Sequence, residues 1–357
     1  MPTLQHDQLE RIAREILSAA GVPEDEAQLV GEALVRANLA GCDSHGVLRL
    51  PNYLRQIDAG AIVPGAQIEI ERETPTTVVL SGNWGFGQVI GARATEMVIA
   101  KTQANALGAV AGRRSNHVGA LADYVEAIAQ AGLIGLMFVN GHGGAHNTVP
   151  WGGADARLCT NPMAAGFPTD ADPIVLDIST AAVAEGKVRT YRISGEQVPD
   201  HWIVDSDGRP TNDPEVLYRK PQGNLLPLGG NVGYKGFGLG MMVDLLAGGL
   251  SGAGTSGPHP ERGGNAFTIM ALDPAVFVGE EHFRADAAAL VAWVKSSRLA
   301  PGFGEITVPG ELERRERQRR LREGIPLPAE TWAEIAEAAE RLGVRYAKLA
   351  PPPVASS

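Results

Sequence analysis

A glycine-rich stretch at residues 223–257 constrains the fold of this chain more than any other feature. It places one cation, Lys235, among closely spaced glycines and leads directly into an apolar segment at residues 239–250. Glycines let backbone N–H groups approach an anion closely, and a helix that begins here would add the positive end of its dipole. The stretch therefore predicts a phosphate-binding turn or, alternatively, a turn that simply lets an apolar helix pack against a sheet.

Two common phosphate-binding patterns do not fit this stretch. Gly236 follows Lys235, whereas the lysine of a P-loop is followed by serine or threonine. The stretch also does not have the GxGxxG spacing that opens a βαβ unit near an N-terminus. The sequence therefore argues against both a P-loop and an ordinary Rossmann turn at this position.

Composition sets the class of protein. The 357 residues are 44% hydrophobic and 20% charged, enough for a full core and two domains of ordinary size. A formal charge of −10 argues against nucleic acid as a partner. No apolar run approaches the roughly 20 residues that cross a bilayer, and the N-terminus does not resemble a signal peptide. With Cys42 and Cys159 as its two cysteines, the chain is expected to be cytoplasmic and without a membrane partner.

Residues 4–58 carry a helical pattern of apolar side chains that is interrupted at Gly21 and again near Gly41. After the second break comes a DSHG segment, where Asp43 or Ser44 could cap a third helix. His45, Arg49 and Tyr53 follow, the last two four residues apart and thus on one helical face. A histidine, a guanidinium and a phenol can therefore converge, although a capping turn with a surface histidine would give the same pattern.

From about residue 67 onward, short β-rich segments alternate with helical ones. The pattern predicts strands at residues 68–72, 76–82, 108–113, 134–140, 173–180 and 265–271, and helices at 94–106 and 117–132. His117 would then lie in the first turn of a helix capped by Ser115 or Asn116, where the helix dipole opposes protonation. A neutral imidazole there could take a proton from a hydroxyl, or could be a partly buried histidine held by its cap.

Two more segments carry polar groups of interest. His142 and His146 are four residues apart, a spacing that suits a metal on a helix, but the intervening glycines and Pro150 disfavour a helix. A metal-dependent enzyme is therefore the less favoured alternative, and no metal site is predicted. Asp177, Ser179 and Thr180 lie at the exit of a predicted strand, a common position for ligand-binding groups, and Lys187 adds a second cation there.

Taken together, these segments resemble the malate/L-lactate dehydrogenase family, which is distinct from the Rossmann-type lactate dehydrogenases. Seven motifs occur in the family's order across residues 5–340: DSHGVLRL, SNHVGALADY, VPWGG with TNPMAAG, LDIST, GNLLPLGG, GYKGFGLGMMVDLLAG, and VPGE with GIPL. The family includes ureidoglycolate, sulfolactate and diketogulonate dehydrogenases and piperideine-2-carboxylate reductases.

The resemblance implies an α/β (α+β) fold with a non-Rossmann cofactor domain, a largely antiparallel sheet, and a helical domain built from both termini. It implies an N-terminal helical domain at residues 1–75, an NAD(P)-binding and catalytic domain at 76–274, and a C-terminal segment at 275–357 that returns to the helical domain. Homodimers are usual in such a family. The arginine-rich segment at 308–327 is expected to form a solvated, self-paired helix, and the tail at 350–357 is expected to be disordered.

The resemblance also assigns functional positions. His45, His117 and Ser44 would be catalytic, and Arg49 and Tyr53 would bind the substrate, Arg49 through its fork geometry for a carboxylate. NAD or NADP would contact His117, Val118, Gly119, Ala120, Leu121, Asp177, Ile178, Ser179, Thr180, Lys187, Tyr234, Lys235, Gly236, Pro309, Gly310 and Glu311. Imine-reducing members resemble a pattern with aspartate where this chain has Lys187, which favours a hydroxy acid. The NGHGGAHN segment beginning at Asn140 also departs from the family's proline-containing pattern.

The sequence therefore predicts reversible hydride transfer between NAD(P)H and a small 2-oxo acid, with a histidine giving and taking the proton. His45 is favoured as the proton carrier, because it shares its segment with the groups expected to hold the acid. His117 would orient the nicotinamide or share the proton. The alternatives are an NAD(P)H-dependent reductase of cyclic imines and a nucleotide-binding protein without redox turnover.

Overall fold

The computed structural model describes residues 2–143, 146–257 and 262–344. The helices are α1 (His6–Ala19), α2 (Glu24–Leu39), α3 (Leu50–Asp58), α4 (Gly87–Asn105), α5 (Ala122–Gln130), α6 (Glu185–Ser194), α7 (Tyr234–Asp244), α8 (Glu280–Lys295), α9 (Glu311–Glu323) and α10 (Ala329–Arg341). The strands are β1 (Thr3–Leu4), β2 (Glu69–Glu73), β3 (Thr77–Ser81), β4 (Leu107–Ser115), β5 (Ile134–His142), β6 (Met163–Phe167), β7 (Ile174–Ile178), β8 (Ile203–Val204), β9 (Pro210–Thr211), β10 (Asn224–Leu225), β11 (Gly264–Leu272) and β12 (Ile325–Pro326). Among the described residues, no helix combines the length and apolarity needed to cross a bilayer.

The main sheet has seven strands in the order β2-β3-β4-β11-β5-β6-β7. β3 pairs with β4 in parallel, and the other neighbouring pairs are antiparallel. The predicted largely antiparallel sheet is thus confirmed. Two small sheets accompany it, one of β10, β8 and β9 and one of β1 and β12.

The two faces of this sheet carry different helices. Met137 and Val139 of β5 belong to the core shared with α4 and α5, whereas Phe138 packs with Val243 of α7 and with Ala247 of the π-helical turn that follows. Side chains alternate between the two faces of a strand, so α7 lies on the face opposite α4 and α5. The apolar helix predicted after the glycine-rich stretch therefore exists and covers the sheet.

A separate helical core joins both ends of the described chain. Leu9, Ile16 and Leu34 from the first two helices pack in one cluster with Ile325 and Ile335 from near the C-terminus. The pairing of β1 with β12 adds backbone hydrogen bonds between the same ends. The predicted domain limits stay a prediction, because packing clusters do not define them.

Three helix starts differ from the sequence prediction, and the first is α4, which begins at Gly87 instead of residue 94. Residues 43–45 and 47–49 form 3-10 turns, and α3 begins only at Leu50. Asp43 does not cap it, because its carboxylate pairs with Arg320 and accepts from Asn38. Likewise α5 begins at Ala122 instead of near residue 117. Gly119 has φ of +81°, which an α-helix cannot accommodate.

The arginine-rich helix α9 is partly self-paired, as predicted. Arg319 bridges Glu316 and Glu323 within the helix. Arg320 pairs with Glu316 in the same helix and also with Asp43, and Arg317 pairs with Glu126 on α5, so the helix also ties the chain's C-terminal part to the site region. The tail at 350–357, predicted to be disordered, lies outside the described residues.

Candidate active site

The centre of the candidate site is a pair of histidines from distant parts of the chain. His45 comes from the 3-10 turn after α2, and His117 from the loop between β4 and α5. His45 Nδ1 and His117 Nε2 are 3.0 Å apart, and the rings are parallel within 4°. The Tyr53 hydroxyl lies 2.7 Å from His117 Nδ1. Both nitrogens of His117 are thus engaged, while His45 Nε2 has no partner among the described residues.

Both imidazoles are poor bases in this setting. Burial lowers the pKa of His45 to about 4, and the charge of Arg49 adds to the effect. Burial also lowers the pKa of His117 well below its usual value, with smaller contributions from His45 and Arg49. The predicted direction for His117 is right, but the predicted cause, a helix dipole, is wrong because α5 begins five residues later. At neutral pH both rings are therefore neutral.

Arg49 and Ser44 lie beside the histidine pair. Arg49 Nε donates to the Ser44 carbonyl oxygen at 2.7 Å, which orients the guanidinium. Within the described ranges Arg49 forms no ion pair, so its terminal N–H groups remain available to an anion. A Cβ at Gly186 would lie 3.3 Å from Ser44 Cβ, so the first turn of α6, which carries Lys187, packs against this segment.

A cavity of about 240 Å³ opens beside His45. His45 lines it together with Val118, Gly119 and Ala120 of the loop predicted to contact the cofactor. Arg36 also lines it, but its charge is already matched by Asp123 at 3.0 Å and by Glu32 at 3.7 Å. The cavity thus brings an imidazole and a glycine-containing loop to one space.

The strand exit after β7 holds this loop in place. Asp177 accepts the backbone N–H of Ala122 at 2.9 Å, at the start of α5. Ser179 and Thr180 both donate to the carbonyl oxygen of Thr160 at 3.0–3.1 Å, so their hydroxyls fasten the strand end. Val118 N–H, in turn, donates to Asn265 on β11 at 3.2 Å. Two of the predicted cofactor segments, 117–121 and 177–180, are therefore neighbours.

The start of α7 joins the same region through Leu228. Leu228 N–H donates to the Thr180 carbonyl at 2.9 Å, and a Cβ at Gly236 would collide with Leu228. Gly236 is thus needed for close packing, which was the alternative explanation for the glycines. Lys235 lies inside the first turn of the helix, exposed and with no ion pair among the described residues, so it also meets the requirement for an anion site.

The segment 309–311 contacts the other end of β7. Val175 N–H donates to the Pro309 carbonyl at 3.3 Å, and Gly310 packs on the Val175 backbone. Glu311 is engaged locally, since its carboxylate pairs with Lys295 and accepts from Val308 N–H. Residues 309–311 are therefore separated from the strand exit at residues 177–180 by most of the length of β7, and the Glu311 side chain is already occupied.

The two histidines of the alternative metal site do not share a helix. His142 ends β5 and His146 follows in a loop, with residues 144–145 outside the described ranges. Within those ranges, no three His, Cys, Asp or Glu side chains are arranged to hold a metal.

Two site residues were missed from the sequence. Gln88 is buried at the start of α4 and donates to the Tyr53 hydroxyl at 2.7 Å. Asn265, on β11, holds Val118 N–H and donates to the Asn140 carbonyl. Gln88 could have been noticed as a polar residue on the buried face of a helix, but its partner is 35 residues away along the chain.

Comparisons with known proteins identify relatives of the whole chain. The family model described as malate/L-lactate dehydrogenase matches residues 4–336. The chain is 37% identical to the malate dehydrogenase of Pyrococcus abyssi over 348 residues, which cover 95% of this chain and 94% of that protein. The structure of the sulfolactate dehydrogenase of Methanocaldococcus jannaschii superposes with a TM-score of 0.87 at 32% identity, covering 97% of this chain and 99% of that one.

The chain belongs to the malate/L-lactate dehydrogenase family. A solved structure of δ1-piperideine-2-carboxylate reductase from Pseudomonas syringae pvar. tomato is also similar, with a TM-score of 0.81 and 31% identity over 95% of this chain and 100% of that one. The malate/L-lactate dehydrogenase fold thus carries enzymes named for two kinds of substrate. As a member of the family, the chain is an oxidoreductase, and its substrate must be argued from its own residues.

Proposed function

We propose that this protein is an NAD(P)-dependent dehydrogenase that interconverts a small 2-hydroxy acid and the corresponding 2-oxo acid, with His45 as the acid/base. One observation carries the assignment of the proton carrier. His117 uses both ring nitrogens within the protein, whereas His45 Nε2 is free to meet a substrate oxygen. A general acid must come within hydrogen-bond reach of that oxygen, so His45 fits the task and His117 supports it.

Arg49 would bind the substrate carboxylate. The guanidinium presents two parallel N–H groups, which match the two oxygens of a carboxylate. Its anchor on the Ser44 carbonyl keeps it near His45, so a 2-oxo acid held there would place its keto oxygen close to the imidazole. Tyr53 was predicted to bind substrate. Its buried hydroxyl is already hydrogen-bonded to Gln88 and His117, so we propose that Tyr53 holds His117 in place.

The cofactor would be a nicotinamide dinucleotide, which supplies the hydride when bound. The residues present fit its anionic pyrophosphate. Lys235 and Lys187 are exposed and form no ion pair among the described residues, and Gly119 and Gly236 permit close backbone approach. The loop 117–121 borders the cavity beside His45 and would therefore hold the nicotinamide end.

A cyclic imine reductase is the second candidate, because a solved enzyme of that kind is similar in fold. Lys187, at the start of α6 beside Ser44, carries a positive charge where the resemblance to imine-reducing members calls for aspartate. A lysine repels an iminium cation but does not repel a neutral keto group, so this residue favours the hydroxy acid.

An assay of several 2-oxo acids with both reduced cofactors tests the proposal. Pyruvate, oxaloacetate, sulfopyruvate and glyoxylate derivatives should include at least one substrate that oxidises NADH or NADPH, with activity that survives exhaustive chelation. Turnover of cyclic imines alone would replace the proposal with the imine reductase. Binding of NADH without turnover of any of these compounds would leave a nucleotide-binding protein, and loss of activity on chelation would favour a metal enzyme.

We also propose that the protein is a homodimer whose subunits meet through α8. This helix has no buried residue, although Leu290, Trp293 and Val294 follow one another at helical spacing. Trp293 is 77% exposed and Leu290 58%. Helices of soluble proteins normally bury such a stripe. Residues 287–294 carry no charge, so two copies of an acidic chain can approach here without repulsion.

Light scattering after size-exclusion chromatography tests the dimer. The native protein should have twice the mass of one chain, and Trp293→Glu should yield monomers because a charge would be buried at the interface. Ile193→Glu, at a position on α6 that is 67% exposed, is the matched control and should remain dimeric. A monomeric native protein would refute the homodimer, and a dimeric Trp293→Glu variant would place the interface elsewhere.

A further inference from the structure

We infer that Gln88 is a positioning residue that sets which ring nitrogen of His45 carries the proton, acting through Tyr53 and His117. The inference rests on the proposed role of His45 as the acid/base. Gln88 lines the same cavity as His45 and lies beside Gly119, and its amide is linked to His117 through the Tyr53 hydroxyl, two hydrogen bonds away.

Four side chains form one unbranched chain of hydrogen bonds. Gln88 Nε2 donates to the Tyr53 hydroxyl at 2.7 Å, and Tyr53 lies 2.7 Å from His117 Nδ1. His117 Nε2 is 3.0 Å from His45 Nδ1. Gln88 and Tyr53 are each 1% exposed, so solvent does not compete for their polar groups. The chain ends at His45 Nε2, the atom free to meet a ligand.

Proton counting makes the arrangement directional. An amide NH₂ only donates, a tyrosine has one proton, and each neutral imidazole has one N–H. If Tyr53 accepts from Gln88, its own proton goes to His117 Nδ1. His117 must then carry its proton on Nε2 and donate to His45 Nδ1. His45 is left with its proton on Nε2, ready to be given to a substrate oxygen.

Turning the Gln88 amide by 180° reverses the whole chain. The carbonyl oxygen would then accept from Tyr53, Tyr53 would accept from His117 Nδ1, and His117 Nε2 would accept from His45 Nδ1. His45 Nε2 would be left bare, ready to take a proton from an alcohol. Gln88 Oε1 is buried and has no hydrogen-bond partner among the described residues, so the bond between Nε2 and Tyr53 is what distinguishes the two orientations and gives the chain its direction.

The same chain can supply a proton during reduction of a carbonyl group. As the carbonyl carbon is reduced, His45 Nε2 gives its proton to the oxygen and His45 Nδ1 takes the proton of His117 Nε2. His117 Nδ1 then takes the proton of Tyr53, whose oxygen becomes negative and is held by the Gln88 N–H. Burial raises the pKa of Tyr53 to about 12, still below that of an alcohol hydroxyl. A proton from water, entering at His45, restores the starting state.

Nitrogen NMR of the histidine rings tests this directly, because protonated and bare ring nitrogens differ widely in chemical shift. In the native protein without ligands, His45 should be protonated at Nε2, with its signals assigned by comparison with His45→Gln. Gln88→Glu, an acceptor when ionised, should move that proton to Nδ1. Gln88→Leu should give a mixture of the two tautomers. Thr95→Val, on the buried face of the same helix, is the matched control and should leave the His45 tautomer unchanged.

Kinetics supply the second measurement. Gln88→Leu should lower kcat by about tenfold while KM for the acid and the Kd for reduced nucleotide stay within about twofold, and Thr95→Val should keep native kcat. An unaltered His45 tautomer in both Gln88→Leu and Gln88→Glu would overturn the inference. The NMR result needs no turnover, so failure of every tested substrate would refute the proposed function without deciding the role of Gln88.

Discussion

The carboxylate of Asp177 accepts the backbone N–H of Ala122 at 2.9 Å and so ties the end of β7 to the first residue of α5. Burial raises the pKa of this carboxyl group to about 6, although the N–H groups of Ala122 and Leu121 act in the opposite direction. The nearby charges of Asp123 and Glu313 add to the increase. The fold therefore holds an acid that resists ionisation close to the site.

Asp177→Asn should raise the thermal stability of the nucleotide-free protein at pH 7 to 8. The folded-state pKa lies above the unfolded value of about 3.9, so the native protein loses stability as the pH rises from about 4 through 6. Asparagine keeps an oxygen for Ala122 N–H but carries no charge. The variant should thus have a flatter profile of Tm against pH in this window.

The exposed Asp58→Asn is the control for this measurement and should leave the shape of the profile unchanged. A loss of Tm for Asp177→Asn of the same size at every pH would mean that the hydrogen bond to Ala122 outweighs the buried charge.

Lys235→Ala should weaken binding of the nucleotide by about tenfold or more, as expected for the loss of a charge-assisted hydrogen bond. Its Tm without nucleotide should change little, because the side chain is exposed and forms no ion pair among the described residues. A calorimetric titration with NADH and NADPH measures the effect. Arg55→Ala removes the same charge from an exposed position on α3 and should bind normally. Equal affinity of the Lys235→Ala variant and the native protein would contradict the phosphate assignment.

Local sequence patterns predicted those features of the site that depend on residues close together in the sequence. The spacing of His45, Arg49 and Tyr53 indicated a polar cluster, and these residues do lie together, although two 3-10 turns and not an α-helix carry His45 and Arg49. The start of α5 could not be predicted in the same way. It depends on Asp177, 55 residues away from Ala122, which holds the first N–H of the helix.

The hydrogen-bond chain behind His45 was also beyond the reach of local patterns. Gln88 is hydrogen-bonded to Tyr53, which is 35 residues away along the chain, and Tyr53 is hydrogen-bonded to His117, which is 64 residues away. The family resemblance predicted the site residues, but the partner of each ring nitrogen depends on how distant segments pack in the folded chain. The exposure of Trp293 on α8 is a further example, since an apolar stretch of sequence does not show whether its own chain covers it.

Arg49→Lys should reduce kcat/KM for the acid by roughly 10²-fold or more, with nucleotide affinity within about twofold of the native value. The substitution keeps a positive charge but loses the two parallel N–H groups and the Nε bond to the Ser44 carbonyl. Steady-state kinetics and a nucleotide titration on the same preparation separate the two effects. Arg55→Lys is the control. Parallel losses of acid turnover and nucleotide affinity would show that Arg49 has a structural role instead.

The two histidines differ in whether a ring nitrogen is free of hydrogen bonds, and this difference predicts different outcomes for their substitution. His45 has a free Nε2, so His45→Gln should lower kcat by roughly 10²-fold or more, the range expected for loss of a general acid, and should leave nucleotide binding intact. His117 is bonded on both sides, between Tyr53 and His45, and belongs to the loop beside the cavity. His117→Gln should therefore weaken nucleotide binding as well as lower the rate.

Single-turnover kinetics with reduced nucleotide, together with equilibrium binding of the nucleotide alone, distinguish these outcomes. His282→Gln, at an exposed position on α8, controls for the loss of an imidazole that is remote from the site. If His45→Gln kept most of its kcat while His117→Gln lost turnover with normal nucleotide affinity, the two roles would be exchanged. His117 would then have to release one of its two bonds during the reaction in order to meet the substrate oxygen.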